Sequence, residues 1–314
     1  MSALGPEPSV CMKTCTVSEK RPLRIEDQGL FGAFLRLVPH DLSAYHFANI
    51  YIWRALFEIF WHMIDDCLCL FFWDGHGCFM YLPPLGRAVS PEIARQCWTV
   101  MNEYNTRPEL SRIENVESSL RPCYERLGFR SRQKDPDYVC RRQDLALLPG
   151  NAFKSKRSSV NQFERTYEYS YEPYASTHYD DCMDLCSHWS ARCKTKNEEP
   201  VARHMIDDTV RVQAEALRHA GALGLTGRVI VVSKAVVGYI FGYALNADTF
   251  CVLFEVCDLA YRGVAQTIFR NFARELEPYA FINIMDDSGL EHLKRVKESY
   301  RPVRRVSSFV IENA

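Results

Sequence analysis

The chain has 314 residues, room for two domains at about 150 residues each. It is 47% hydrophobic and 25% charged, an ordinary globular composition, and 15 Gly with 15 Pro exclude a collagen-like or Pro/Gly-rich disordered chain. Its 38 Lys and Arg against 39 Asp and Glu leave a net charge of −1, which gives no general reason to expect a nucleic-acid binder. The longest apolar run, Cys67 to Trp73, is far short of the roughly 18 residues a spanning helix needs.

Residues 1–24 read as a loose tail without the apolar core of a secretory signal. Cys11 and Cys15 lie there without a second thiol pair, so no metal is expected. The 13 cysteines are odd in number and scattered, which fits a reducing cytoplasm with free, buried thiols. Asp41 to Trp61 is rich in aromatic residues and reads equally as buried helix or strand. Cys67–Leu82 reads as a hairpin turning at Asp74-Gly75-His76-Gly77, and Pro83-Pro84 stops it. Ser90 then caps a helix whose first residue is Pro91. In the second half, strands are expected at Arg228–Ser233, Val236–Tyr243 and Thr249–Val256. A helix over Gly263–Leu276 and a strand over Phe281–Met285 follow.

The two halves repeat one order at an offset of 171 residues. Phe129 and Tyr300 are one such pair, Cys78 and Thr249 another. The reading is an α/β (α+β) chain of two similar domains with mixed sheets, joined near Arg141–Gly150. The expected division is a tail (1–24), an N-terminal domain (25–145) and a C-terminal domain (146–314).

Ala260-Tyr261-Arg262-Gly263-Val264-Ala265 stands between a strand and a helix. It resembles the acyl-donor motif of GNAT acyltransferases, in which helix-start amides meet phosphate and small residues let the donor approach. The first half has Pro83-Pro84-Leu85-Gly86 at that place, so that half is expected to be degenerate. A broader resemblance runs over residues 25–312. It is carried by Phe47–Arg54, Asp137–Ala146 leading to Gly150, Lys156-Arg157, Asn161, Phe163, Leu223–Gly227 and Lys297–Val303. Together these resemble the bacterial family of the phosphatidylglycerol lysyltransferase C-terminal domain, a tandem GNAT-like fold with many stand-alone members. Relatives move an aminoacyl group from tRNA to a membrane lipid. The chain departs from the pattern at Val256-Cys257, where the family carries Lys-Ala, at Asn283–Asp287 and at Ser158.

The resemblance implies transfer of an acyl or aminoacyl group to an amine or hydroxyl. Aminoacyl-tRNA or acyl-coenzyme A would be the donor. Glu255 is the expected base with Asp258 second, and Tyr300 the expected acid. Lys156, Arg157, Asn161, Arg262, Gly263, Ala265 and Lys297 are the expected substrate and phosphate contacts. Two basic groups support a phosphate-bearing partner. Between Arg121 and Arg165, Lys and Arg exceed Asp and Glu by six, and Lys294, Arg295, Lys297, Arg301, Arg304 and Arg305 form the second group. Arg157, Lys297 and Glu255 are expected in one pocket near the domain boundary. Lipid contact, if used, would be peripheral. The alternatives are a coenzyme-A-dependent N-acetyltransferase and a non-catalytic binding module. His178, Cys182 and Cys186 lie at helical spacing, but they extend over two turns and share their helix with core residues, so zinc is not expected. Gly-x-Ser-x-Gly is absent, which removes the serine-hydrolase reading.

Overall fold

The computed structural model describes residues 16–87, 90–195 and 199–313, apart from the side chains of residues 201 and 202. Its strands in the first half are β1 (Arg21–Pro22), β2 (Glu58–Ile64), β3 (Cys67–Trp73), β4 (Cys78–Met80), β5 (Arg112–Glu117), β6 (Arg130–Gln133) and β7 (Asp137–Arg141). Those in the second half are β8 (Tyr169–Pro173), β9 (Thr226–Val232), β10 (Ala235–Ala244), β11 (Thr249–Cys257), β12 (Phe281–Asn283), β13 (Arg304–Val306) and β14 (Ser308–Glu312).

The expected hairpin forms from β3 and β4, with Trp73 opposite Cys78. The Asp74 carboxylate accepts the Gly77 amide at 2.9 Å and so closes the turn. Ser90 Oγ accepts the Ile93 amide at 3.2 Å and starts the helix Pro91–Tyr104. The aromatic run of 41–61 divides into a short helix, Phe47–Tyr51, a 3-10 turn and the start of β2. β3 is buried on both faces, which explains its unbroken apolar run. Cys67, Cys69 and Phe71 pack under the helix Pro91–Tyr104, while Leu68, Leu70 and Phe72 face the opposite core.

Two seven-stranded sheets result, in the orders β1-β2-β3-β4-β5-β14-β6 and β8-β9-β10-β11-β12-β7-β13. They correspond strand for strand, and each has a parallel pair, β4–β5 or β11–β12, bridged by a helix. A contiguous division at residue 145 does not describe them. The two halves exchange a strand: β7 lies in the second sheet and β14, from the chain's end, lies in the first. The cause is pairing geometry, since β7 fits antiparallel between β12 and β13, and β14 between β5 and β6. The tail boundary also shifts. Residues 16–24 are tied to the first sheet, through the Thr16 amide on Asp65 Oδ1 at 2.8 Å and the pairing of β1 with β2. Cys11 and Cys15 fall outside the described residues.

The halves meet over a shared apolar core that includes Ile50 and Phe72 from one and Val212, Leu223 and Tyr243 from the other. A buried polar network crosses the same interface. The Ser43 amide donates to Asp137 Oδ2 at 2.7 Å, the Tyr243 hydroxyl donates to the Ser43 carbonyl at 2.6 Å, and Asn283 donates to Asp137 at 2.9 Å. Among the described residues, no helix is long and apolar enough to cross a membrane.

Candidate active site

β11 and β12 run side by side for only three residues, ending at the pair Cys251–Asn283. β12 then stops and the chain turns away through Met285, at φ 60°. β11 continues to Cys257, paired with β10 alone. A gap therefore opens between two strands in the middle of the second sheet. Two features hold it open. Lys297 Nζ donates to the carbonyls of Ile284 and Asp286, which fixes the path of the departing chain. β11 also carries a bulge: Gly242 faces Val252 and Phe241 faces Phe254, leaving Leu253 as the extra residue.

The bulge changes which side chains face the site. Phe250 and Val252 point toward the helix Val264–Glu275. In a regular strand Phe254 and Val256 would follow them, and Glu255 would point to the other layer. After the extra residue, Cys257 lies on the side of Phe250 and Val252, while Val256 joins the opposite core. Glu255, two residues before Cys257, comes to the same side and enters the gap.

Lys156, Tyr300 and Cys257 act on Glu255 there, and Ser299 holds Lys156. Burial pushes the Glu255 carboxyl up to about 7, opposed by the Cys257 thiol, which donates to Oε1 at 3.5 Å, and by the Lys156 ammonium. Burial lowers Lys156 to about 8, with Glu255 pulling the other way. Lys156 comes from the first turn of the helix Lys154–Thr166. Its Nζ donates to Ser299 Oγ at 2.7 Å and lies 3.7 Å from the centre of the Tyr300 ring. Tyr300 is buried against Phe269, with ring centres 4.7 Å apart, and burial followed by the Glu255 charge holds its hydroxyl protonated well above the usual range. A carboxyl and an amine both displaced toward neutrality, beside a protonated phenol, form a set able to take and give protons near pH 7.

The first sheet has a matching parallel pair without that chemistry. Its parallel pair is Met80–Ile113, and Met80 stands 171 residues before Cys251. At the same offset Pro84 replaces Glu255 and Phe129 replaces Tyr300. The aromatic pair beneath is retained: Trp98 stacks on Phe129 at 4.1 Å where Phe269 meets Tyr300.

Other expected site residues are engaged elsewhere. Arg157 donates to the carbonyls of Leu148 and Gly150 and so fastens the segment between the halves. With Arg157 and Lys297 both on main-chain carbonyls, the basic partner that Glu255 meets is Lys156. Asp258 accepts the Ala260 amide at 3.0 Å and faces Arg192 at 3.5 Å. Asn161 and Arg262 are exposed, and the Asn161 carbonyl accepts from Arg165. Ala265 lies in the first turn of the helix Val264–Glu275. Gly263 has φ 95°, and a Cβ there would collide with the Ser159 carbonyl oxygen. The helix Lys154–Thr166 therefore packs against Gly263 itself, on the side where a Cβ would stand. His178 Nδ1 accepts the Ala175 amide, while Cys182 and Cys186 pack in the core beside Tyr239.

Sequence reasoning missed the Leu253 bulge, which leaves no mark in residue type. It also passed over Cys257 and Ser299. Cys257 could have been found from its spacing of two from Glu255. Two surface clefts of about 390 and 370 Å³ lie elsewhere, by Asp66 and Arg87 and by Asp287 and Arg305. Neither is lined by Glu255 or Lys156.

Comparison with known proteins agrees with this architecture. A Bacteroides thetaiotaomicron protein of unknown function matches at 27% identity and TM-score 0.82, over 94% of this chain and 99% of that one. L-PGS from Bacillus licheniformis matches at 16% identity and TM-score 0.62, over 91% and 92%. The C-terminal domain of an Agrobacterium fabrum protein described as a lysylphosphatidylglycerol synthetase matches at 13% identity and TM-score 0.60, over 92% of each chain. These last two likenesses carry the fold alone. Among curated proteins no relative matches. The fold these structures share is α/β, built on two mixed sheets of matching strand order. The profile of the phosphatidylglycerol lysyltransferase C-terminal family matches residues 35–312, and the chain belongs to that family.

Proposed function

We propose that the chain transfers an acyl or aminoacyl group to an amine or hydroxyl acceptor in the gap between β11 and β12. The observation that carries the reading is Glu255, aimed into the gap by the bulge and held near pH 7 by burial beside Lys156. The donor carbonyl lies along the open side of β11, where main-chain amides polarise it. Glu255 takes the proton of the attacking amine or hydroxyl. Lys156 offsets the negative charge that develops, and Tyr300, kept protonated by burial, supplies a proton to the leaving group. The reaction belongs to the second half, because the first half has Pro84 and Phe129 at the matching places.

Exposed Arg301, close enough to Lys156 to lower its titration, suits a phosphate-bearing donor or the headgroup of a peripheral lipid acceptor.

The test is loss of radiolabelled amino acid from a set of aminoacyl-tRNAs, with amines, hydroxyl compounds and lipid vesicles as acceptors. The wild type should speed the loss and form a labelled product. Glu255→Gln should bring the rate at least about a hundredfold down while keeping the fold. Absence of acceleration with every aminoacyl-tRNA would overturn the aminoacyl reading, and absence with acyl-coenzyme A as well would overturn transfer altogether.

A further inference from the structure

We propose that Lys156 is itself an acyl acceptor, so that an activated acyl group entering the gap can be captured by the protein as an amide that closes the site. Regulation of the proposed site by its own donor class would follow. The inference rests on the transfer reading only for the arrival of acyl groups in the gap.

The geometry is that of a reactive amine. Lys156 Nζ has a hydroxyl, Ser299 Oγ at 2.7 Å, as its hydrogen-bond acceptor, and lies on the face of Tyr300. A hydroxyl and a ring face stabilise an ammonium less than a direct ion pair does, so loss of its proton is comparatively easy. Burial acts in the same direction and brings the group to about 8. Glu255 is close enough to influence that titration and is available to receive a proton. Lys154, two residues earlier on the same helix, is exposed and serves as an internal reference.

The step balances without a further reagent. The neutral Lys156 nitrogen attacks the carbonyl carbon of an acyl phosphate or acyl thioester, and a C–N bond forms. The C–O or C–S bond breaks, and phosphate or thiolate leaves with the electron pair. The proton shed by nitrogen passes to the Glu255 carboxylate. The resulting amide carries no charge. The ammonium over the Tyr300 ring and the positive neighbour of Glu255 disappear together, and the acyl group occupies the gap.

The experiment uses the full chain with acetyl phosphate, and in a second arm acetyl-coenzyme A, followed by peptide mass spectrometry over pH 6 to 10. Neither arm needs a transfer assay, so the proposal can fail while aminoacyl transfer stands. Lys156 should acquire acetyl from at least one donor roughly tenfold faster than Lys154 at pH 7.5. Its rate should reach half its maximum near pH 8. Glu255→Gln should move that midpoint to lower pH by removing the negative neighbour, with Lys154 unaffected. Lys156→Arg should lose the mark. If Lys156 in the folded protein reacts no faster than Lys154 with either donor, and with the same pH dependence, the proposal is overturned.

Discussion

Glu255 illustrates how one residue's ionisation is set by its place in a sheet. An ordinary glutamate ionises near 4.5, and burial in the gap raises this one to about 7. The sign of its effect on stability follows. Its contribution is fully present below the unfolded value and is lost as pH rises through the folded one. Glu255→Gln should leave stability at pH 4 nearly unchanged and raise it at pH 8. The gain should be about 2–3 kcal/mol, the cost of ionising the carboxyl in its buried place. Urea unfolding at the two pH values checks this, and equal stability at both would show that the carboxyl is not strained by burial. Activity should move oppositely, rising as Glu255 loses its proton around pH 7, because a base must be ionised to act.

At the scale of elements, the contact between the helices Lys154–Thr166 and Val264–Glu275 depends on Gly263. Its φ of 95° disfavours any side chain, and the Ser159 carbonyl fills the space a Cβ would need. Gly263→Ala should cost about 2–4 kcal/mol in urea unfolding and shift Lys156 with its helix. Gly221→Ala, where a Cβ would meet nothing within 4 Å, should stay within about 0.5 kcal/mol. A small effect of Gly263→Ala would mean that the two helices do not meet so closely at this residue. The same position shows what the sequence could and could not convey. A glycine between strand and helix announced a close approach, but residue type does not say what approaches, and here it is a neighbouring helix. The hairpin at Asp74 and the cap at Ser90 were legible because their chemistry is local. The Leu253 bulge was not, since it arises from register between β10 and β11, and it decides the face on which Glu255 stands.

For the whole molecule, the exchange of β7 and β14 binds the halves into one unit. The 171-residue repeat was readable from the pattern of turns and aromatics, down to the Phe129–Tyr300 correspondence. The exchange was not readable, because a short antiparallel strand can pair in either sheet and only tertiary fit decides. Phe309, Val310 and Ile311 of β14 are buried in the first sheet although they end the second half. Removal of residues 307–314 should therefore disrupt the first domain. Near-ultraviolet circular dichroism should show lost aromatic packing around Phe129 and Trp98, and a synthetic peptide of residues 307–314 should restore part of it. The intact chain should unfold in a single transition. A truncated chain with the midpoint of the full one would contradict the exchange.

The most direct test is the titration of Glu255 itself. Carbon-13 NMR of side-chain carboxyls in glutamate-labelled protein, with Glu255→Gln assigning the signal by its loss, gives the value without knowledge of donor or acceptor. A midpoint near 7, lowered by the Lys156 ammonium and therefore higher in Lys156→Met, is the result the proposed site requires. A midpoint near the ordinary 4.5, unmoved by Lys156→Met, would place the carboxyl in solvent and remove the base from the gap between β11 and β12.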